Sequence, residues 1–204
     1  VSQVLSQRRG GCRGAEKRQP RRARTSSRLY LYGIGRREET RGVAAALKTL
    51  CEPIARIKSP GTVDGGDVMQ VEDYLYVGLS ARTNKSGARQ LLNILKEWGY
   101  GGEMVPMAGM LHLKTGVAYL GNGWLLLTGE LVKAAAFRKF DIIAVPAGEA
   151  YAANCIRVND RVLMARGFPL TRNAIERAGF DTVALDVSEF QKMDGGLSCL
   201  SLRF

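Results

Sequence analysis

The sequence predicts an α/β fold, a propeller-like array of repeated units. Three observations carry that expectation. Hairpin signatures open near Gly65, His112 and Ala153, spaced 47 and 41 residues apart, and a recurring period of this size marks an array of supersecondary units. Strand and helix patterns alternate within each unit, which favours α/β blades over all-β ones. With 204 residues, 46% of them hydrophobic and 24% charged, the chain has enough apolar material for a sizeable core.

The elements follow in order. Leu29–Gly33 (LYLYG) has strand composition. Glu38–Leu50 (EETRGVAAALKTL) places Val43, Ala46, Leu47 and Leu50 at helical spacing, and Ile54–Lys58 alternates as a strand. Gly65–Ser80 (GGDVMQVEDYLYVGLS) reads as two strands around a Glu72–Asp73 turn. Ser86–Trp98 is a helix, with Ala88, Leu91, Leu92 and Leu95 on its apolar face and Gly99 beyond its end. His112–Gly129 is a hairpin around Gly121–Asn122–Gly123, followed by a short helix over Glu130–Phe137 and a strand over Ile142–Val145. Ala153–Arg166 is a hairpin around Asn159–Asp160. A helix follows over Thr171–Ala178 with Thr171 as N-cap, then a strand over Thr182–Leu185. Gly195–Phe204 (GGLSCLSLRF) opens one more hairpin and contributes one strand.

Charge divides the chain into residues 1–28, a basic disordered leader, and residues 29–204, a single α/β domain. The leader carries eight Arg, one Lys and one Glu and nets +8, whereas the remainder nets only +3 of the total +11. It has no aromatic residue and no periodicity, a composition that predicts disorder. It is Arg-rich like a transit peptide but lacks an apolar face, and it has no apolar stretch of a secretory signal. The nearly neutral body offers no basic stripe to track phosphates, so the composition argues against a nucleic-acid partner. Apolar runs such as Trp124–Leu127 are too short to span a bilayer, so no membrane partner is expected. Four cysteines without a CxxC pair make neither a disulfide scaffold nor a zinc site.

Three reactive residue types sit at equivalent places in three hairpins. Asp64 precedes Gly65–Gly66, His112 opens the second hairpin and Cys199 lies in the last. A thiol, an imidazole and a carboxylate are the components of an activated nucleophile. Each also has a plainer reading: Cys199, between Leu197 and Leu200, as a small buried hydrophobe; His112, the only histidine, as a structural ring; Asp64 as a turn former. Cys51, at a helix end, Cys155, in a strand, and Cys12, in the leader, read as structural.

At these residues the chain resembles the dimethylarginine dimethylaminohydrolases of the amidinotransferase/arginine deiminase (pentein) superfamily. The matching segments are Thr62–Val68 (TVDGGDV), Val77–Asn84 (VGLSARTN), Leu111–Thr115 (LHLKT), Ala152–Ile156 (AANCI) and Met193–Ser201 (MDGGLSCLS). The resemblance implies a pentein-type α/β propeller of repeated ββαβ units with an axial active site. It implies hydrolysis of free methylated arginine to citrulline and a methylamine, without a metal or organic cofactor. It makes Cys199 the nucleophile, His112 the acid/base and Asp64 its carboxylate partner. Arg36 and Arg82 become the clamp on the substrate α-carboxylate, which a planar guanidinium fork suits, and Asp194 the contact to the α-amino end.

The family's first blade carries a Phe-Val-Glu-Asp stretch whose carboxylates hold the guanidinium, and residues 1–28 contain no match to it. Val71–Glu72–Asp73 falls in a hairpin turn and is not its equivalent. The first blade is therefore expected to be incomplete and the chain as written to be a weak or inactive hydrolase, with a version carrying a family-like first blade active. Two alternatives stay open: deiminase or amidinotransferase chemistry, and an inactive truncated paralogue acting as a binding module. Lys114 occupies a position where deiminases usually place an Asp. The expected setting is cytoplasmic, the expected partner a small guanidino compound, and an open ring favours homo-oligomers.

Overall fold

A computed structural model describes residues 28–29 and 54–201. The expected leader up to residue 27, the remainder of the Leu29–Gly33 strand, the Glu38–Leu50 helix, Arg36, Cys12, Cys51 and residues 202–204 lie outside the described residues. The first described elements are β1 (Arg28–Leu29) and β2 (Ile54–Ala55), which pair in parallel.

Three sheets of three strands then follow with one repeated connectivity. In the first, β3 (Val68–Val71) pairs antiparallel with β4 (Tyr74–Leu79), and β4 pairs in parallel with β5 (Gly101–Pro106) after crossing through helix α1 (Lys85–Glu97). In the second, the short helix α2 (Leu113–Gly116) leads into β6 (Val117–Gly121), which pairs antiparallel with β7 (Trp124–Leu127). Parallel to β7 runs β8 (Asp141–Ala144). In the third, β9 (Ile156–Val158) pairs antiparallel with β10 (Arg161–Ala165), and β10 pairs in parallel with β11 (Asp181–Leu185) after helix α3 (Pro169–Arg177). A last helix, α4 (Ser188–Gln191), precedes the cysteine-bearing turn. The innermost strands touch in sequence, β3 against β6 and β6 against β9, so the hairpin openings gather on one side.

The three hairpin turns repeat a backbone feature. Glu72, Asn122 and Asn159 adopt φ of 53°, 53° and 56°, the left-handed conformation that tight strand reversals demand and that Asn tolerates best. Strands such as Trp124–Leu127 read as continuous apolar runs because both their faces are buried. Leu125 and Leu127 pack in a cluster with Tyr76, Leu113 and Phe137, whereas Leu126 joins Ile143, Val162 and Ile175 in the next. Along β4, Leu75 and Val77 pack with Leu91 and Leu95 of α1, and Tyr76 joins the cluster of Leu125 and Leu127.

Several local expectations are corrected. The Glu130–Phe137 helix is two 3-10 turns, Gly129–Lys133 and Ala135–Phe137, broken at the extended Ala134. Leu131 and Phe137 are both fully buried; six residues apart, they fall on different faces of a continuous α-helix, and the break brings both inward. Thr171 is not an N-cap. The helix begins after Phe168 with Pro169 at its first position, and Thr171 lies buried in its first turn, donating to the Glu149 carboxylate. Residues 112–116 open as a helical turn rather than a strand, and Cys155 precedes β9 instead of lying within it. Within the hairpin and strand expected over Gly195–Phe204, residues 197–200 form a turn, and residues 202–204 lie outside the described residues. Strand β5 and the 3-10 segment Ala147–Ala153 had no sequence expectation. Among the described residues, no helix is long and apolar enough to cross a membrane.

Candidate active site

Asp64 ends an extended segment and caps the 3-10 turn Gly65–Asp67. Its Oδ1 accepts from the Gly66 N–H at 2.9 Å, and its own N–H donates to Thr83 Oγ1 at 2.9 Å. The other oxygen, Oδ2, lies 3.4 Å from His112 Nε2 and 3.7 Å from Arg82 Nη1. Burial works against charge on this carboxylate. Hydrogen bonds from His112 and the Gly66 N–H, with the attraction of a protonated His112, outweigh it and hold the pKa well below the usual range.

His112 is placed by being the residue before α2. Its backbone is extended, its carbonyl accepts from the Thr115 N–H at 3.1 Å, and its side chain makes no capping bond. The ring is therefore left to face Asp64. Gly66 makes room for it, since a Cβ there would stand 2.6 Å from His112 Cγ. Arg82 projects from the loop between β4 and α1 and is half exposed, with Nη1 3.5 Å from His112 Nε2. The structure thus brings Asp64, Arg82 and His112 together from three segments.

Sequence reasoning missed Asp67, the centre of this cluster. It is wholly buried. Its Oδ2 accepts from Ser80 Oγ and Thr83 Oγ1, both at 2.6 Å, and its Oδ1 from the Leu113 N–H at 3.0 Å. A signal was available in TVDGGDV, where a second Asp sits among apolar strand residues; burying a carboxylate is costly unless donors converge on it.

Cys199 arrives by a separate route. Its N–H donates to the Gly196 carbonyl at 3.0 Å, and its side chain is partly exposed. Asn154 Oδ1 accepts from the Ser198 N–H at 2.9 Å, and Tyr151 Oη donates to the Gly195 carbonyl at 2.5 Å. Gly196 is pressed against Asn154, so that a Cβ would overlap the amide nitrogen. Tyr151 lies close enough to Cys199 that, after burial, the charge of a Cys199 thiolate adds to the upward push on its phenol pKa. Tyr151 belongs to the 3-10 segment Ala147–Ala153, and Asn154 follows it directly; that segment packs against α2, the helix entered through His112. The nucleophile candidate and the imidazole candidate therefore rest on opposite ends of one contact between elements.

Cys155 is fully buried, and burial pushes its thiol up to about 12, which suits an inert core thiol. Asp194 lies exposed in a left-handed turn at φ 56°, its N–H donating to the Gln191 carbonyl at 3.1 Å, five residues before Cys199. No cluster of His, Cys, Asp and Glu able to hold a metal ion occurs among the described residues.

No protein-family model matches the chain. Individual proteins do. It is 52% identical over 151 residues to the N(G),N(G)-dimethylarginine dimethylaminohydrolase of Pseudomonas aeruginosa, covering 74% of this chain and 59% of that protein. It is 35% identical over 170 residues to the enzyme of the same name from Streptomyces coelicolor, covering 82% of this chain and 64% of that one. The chain thus spans less than two thirds of the length of these curated relatives. Among solved structures, a serine-for-cysteine variant of the Pseudomonas aeruginosa enzyme complexed with citrulline superposes with a TM-score of 0.83 at 44% identity, over 89% of this chain and 72% of that one.

Proposed function

The chain belongs to the dimethylarginine dimethylaminohydrolase family and has its pentein-type α/β fold of repeated ββαβ units, and from that premise we propose that it hydrolyses the guanidino carbon of free methylated arginine. The products are citrulline and a methylamine. The observation that carries the reading is the Asp64–His112 pair, 3.4 Å apart, with Arg82 beside it.

In the proposed cycle the Cys199 thiolate attacks the guanidino carbon and forms a carbon–sulfur bond. The carbon–nitrogen bond to the methylated nitrogen then breaks, and His112 protonates the departing amine. A covalent thiouronium remains on Cys199. His112, now neutral, takes a proton from water; the hydroxide adds to the same carbon and the carbon–sulfur bond breaks, releasing citrulline and restoring the thiolate. Asp64 faces Nε2, so it orients the ring and leaves Nδ1 as the proton-transferring nitrogen. Arg82 takes the substrate α-carboxylate, with Arg36 as its partner and Asp194 at the α-amino end. The cycle uses side chains and water only. A reactive thiol of this kind suits a reducing compartment, which supports a cytoplasmic setting.

The test is incubation of the purified chain with asymmetric dimethylarginine, measuring citrulline and dimethylamine and mapping Cys199 by mass spectrometry after quenching. Equimolar products with an adduct on the Cys199 peptide are expected. Absence of both products and adduct, in this chain and in a version carrying a family-like first blade, would overturn the assignment.

A further inference from the structure

We propose that Asp67 is a positioning residue of this site, setting the acid/base group and the substrate-carboxylate clamp in one geometry. The proposal deepens the hydrolase reading and rests on it. Its basis is where the three donors to the Asp67 carboxylate come from. Leu113, whose N–H reaches Oδ1 at 3.0 Å, is the residue after His112. Ser80 Oγ donates to Oδ2 and in turn accepts from the N–H groups of Arg82 at 3.0 Å and Thr83 at 3.2 Å. Thr83 Oγ1 donates to Oδ2 and in turn accepts from the Asp64 N–H at 2.9 Å. One buried carboxylate is thus at most two hydrogen bonds from the backbone of Asp64, Arg82 and the residue following His112.

The same turn supplies the surface under the imidazole, because Gly66 lies directly against the ring. A carboxylate accepts at both oxygens and donates at neither, so it can hold all three donors at once. An asparagine in its place turns one of those acceptors into a donor and opposes one of the three. Asp67 is far from a surface ion pair: it is fully buried, and among the described residues three hydrogen-bond donors converge on its carboxylate. Displacing a reacting group by about 1 Å can cost on the order of 10²-fold in rate, so this network is where such precision would be lost.

Thr83→Val keeps the β-branched shape and removes the hydroxyl that links Asp64 to Asp67; Thr83→Ser keeps the hydroxyl. Asp67→Asn is the direct probe. A stability-matched control is Leu95→Ala, a core truncation ten residues into α1 and about 15 Å along the helix from its start. His112 is the sole histidine, so its ring protons give an unambiguous NMR signal in the chain as it stands. Expected for Thr83→Val and Asp67→Asn are displaced His112 ring resonances and a kcat lower by about 10- to 100-fold. Thr83→Ser should remain within about threefold, with the wild-type ring signal, and Leu95→Ala should keep that signal despite its lower thermal midpoint. The proposal is overturned if the ring resonances stay unmoved in Thr83→Val and Asp67→Asn, or if Leu95→Ala moves them equally. Should the wild type release no citrulline, with or without a family-like first blade, the assigned reaction fails, and the ring resonances still decide the role of Asp67.

Discussion

Around His112, a buried carboxylate gathers donors from three segments; around Cys199, a turn hangs from an asparagine and a tyrosine. The first arrangement is a branched network, in which loss of any member leaves buried polar groups unpaired at a cost of about 1–3 kcal/mol each. The second is a local turn fixed by backbone contacts to one neighbouring segment. Damage should therefore spread in the His112 half, reaching Asp64 and Arg82 together, and remain local in the Cys199 half. The two halves meet where α2 packs against the Ala147–Ala153 segment.

The largest effect should come from the nucleophile. Cys199→Ser is expected to abolish the covalent adduct and lower citrulline release by about 10³-fold or more, since a hydroxyl is far less ionised and less nucleophilic. The His112 ring resonances should be unchanged, because the network around Asp67 does not include Cys199. Citrulline release close to wild type would sink the mechanism, and displaced ring signals would show that the halves are not independent.

Asn154→Ala sharpens the same comparison. It leaves the Ser198 N–H without its acceptor and opens space beside Gly196. Alkylation of Cys199, followed by peptide mapping with iodoacetamide, should slow by about tenfold, with stability reduced by about 1–3 kcal/mol. An unaltered alkylation rate would remove Asn154 from the support of the nucleophile.

Arg82→Lys should act on the substrate end. It keeps the charge but loses the fork, so the Michaelis constant is expected to rise about tenfold while kcat changes by less than about threefold. An unchanged Michaelis constant would take Arg82 out of the clamp.

The smallest effect is in acid. The Asp64 pKa is lowered in the folded protein, after the opposing effect of burial, by its bonds to His112 and Gly66. Its stabilisation is therefore fully present above the unfolded value of about 4 and is lost as pH falls toward the lower folded value. The stability difference between wild type and Asp64→Asn, from urea unfolding, should be full at neutral pH and shrink below about pH 4. A difference that grows as pH falls would contradict the geometry of the pair.

Much of this molecule is determined locally. The turns at Glu72, Asn122 and Asn159 and the helix end at Gly99 are written in short stretches, because positive φ and the loss of helical period are local steric matters. The placing of Asp64 and His112 in different hairpins, and hence their meeting, followed from the repeat. Other features depended on residues far away in sequence. Strand β5 (GGEMVP) has weak strand composition and forms because β4 offers it a parallel edge, with Gly102 so close to the Leu75 carbonyl that a Cβ would stand 2.8 Å from the oxygen. Thr171 is drawn into the core by Glu149, whose carboxylate takes the helix's first N–H groups from 21 and 22 residues away. Asp67 reaches across 46 residues to Leu113, and Asn154 across 44 to Ser198. The sequence alone determined the repeated units, their turns and the reactive residue types. Only the tertiary structure decided which buried polar groups hold those residues in place, because a buried donor or acceptor is satisfied by whatever partner packing brings to it, at any separation along the chain.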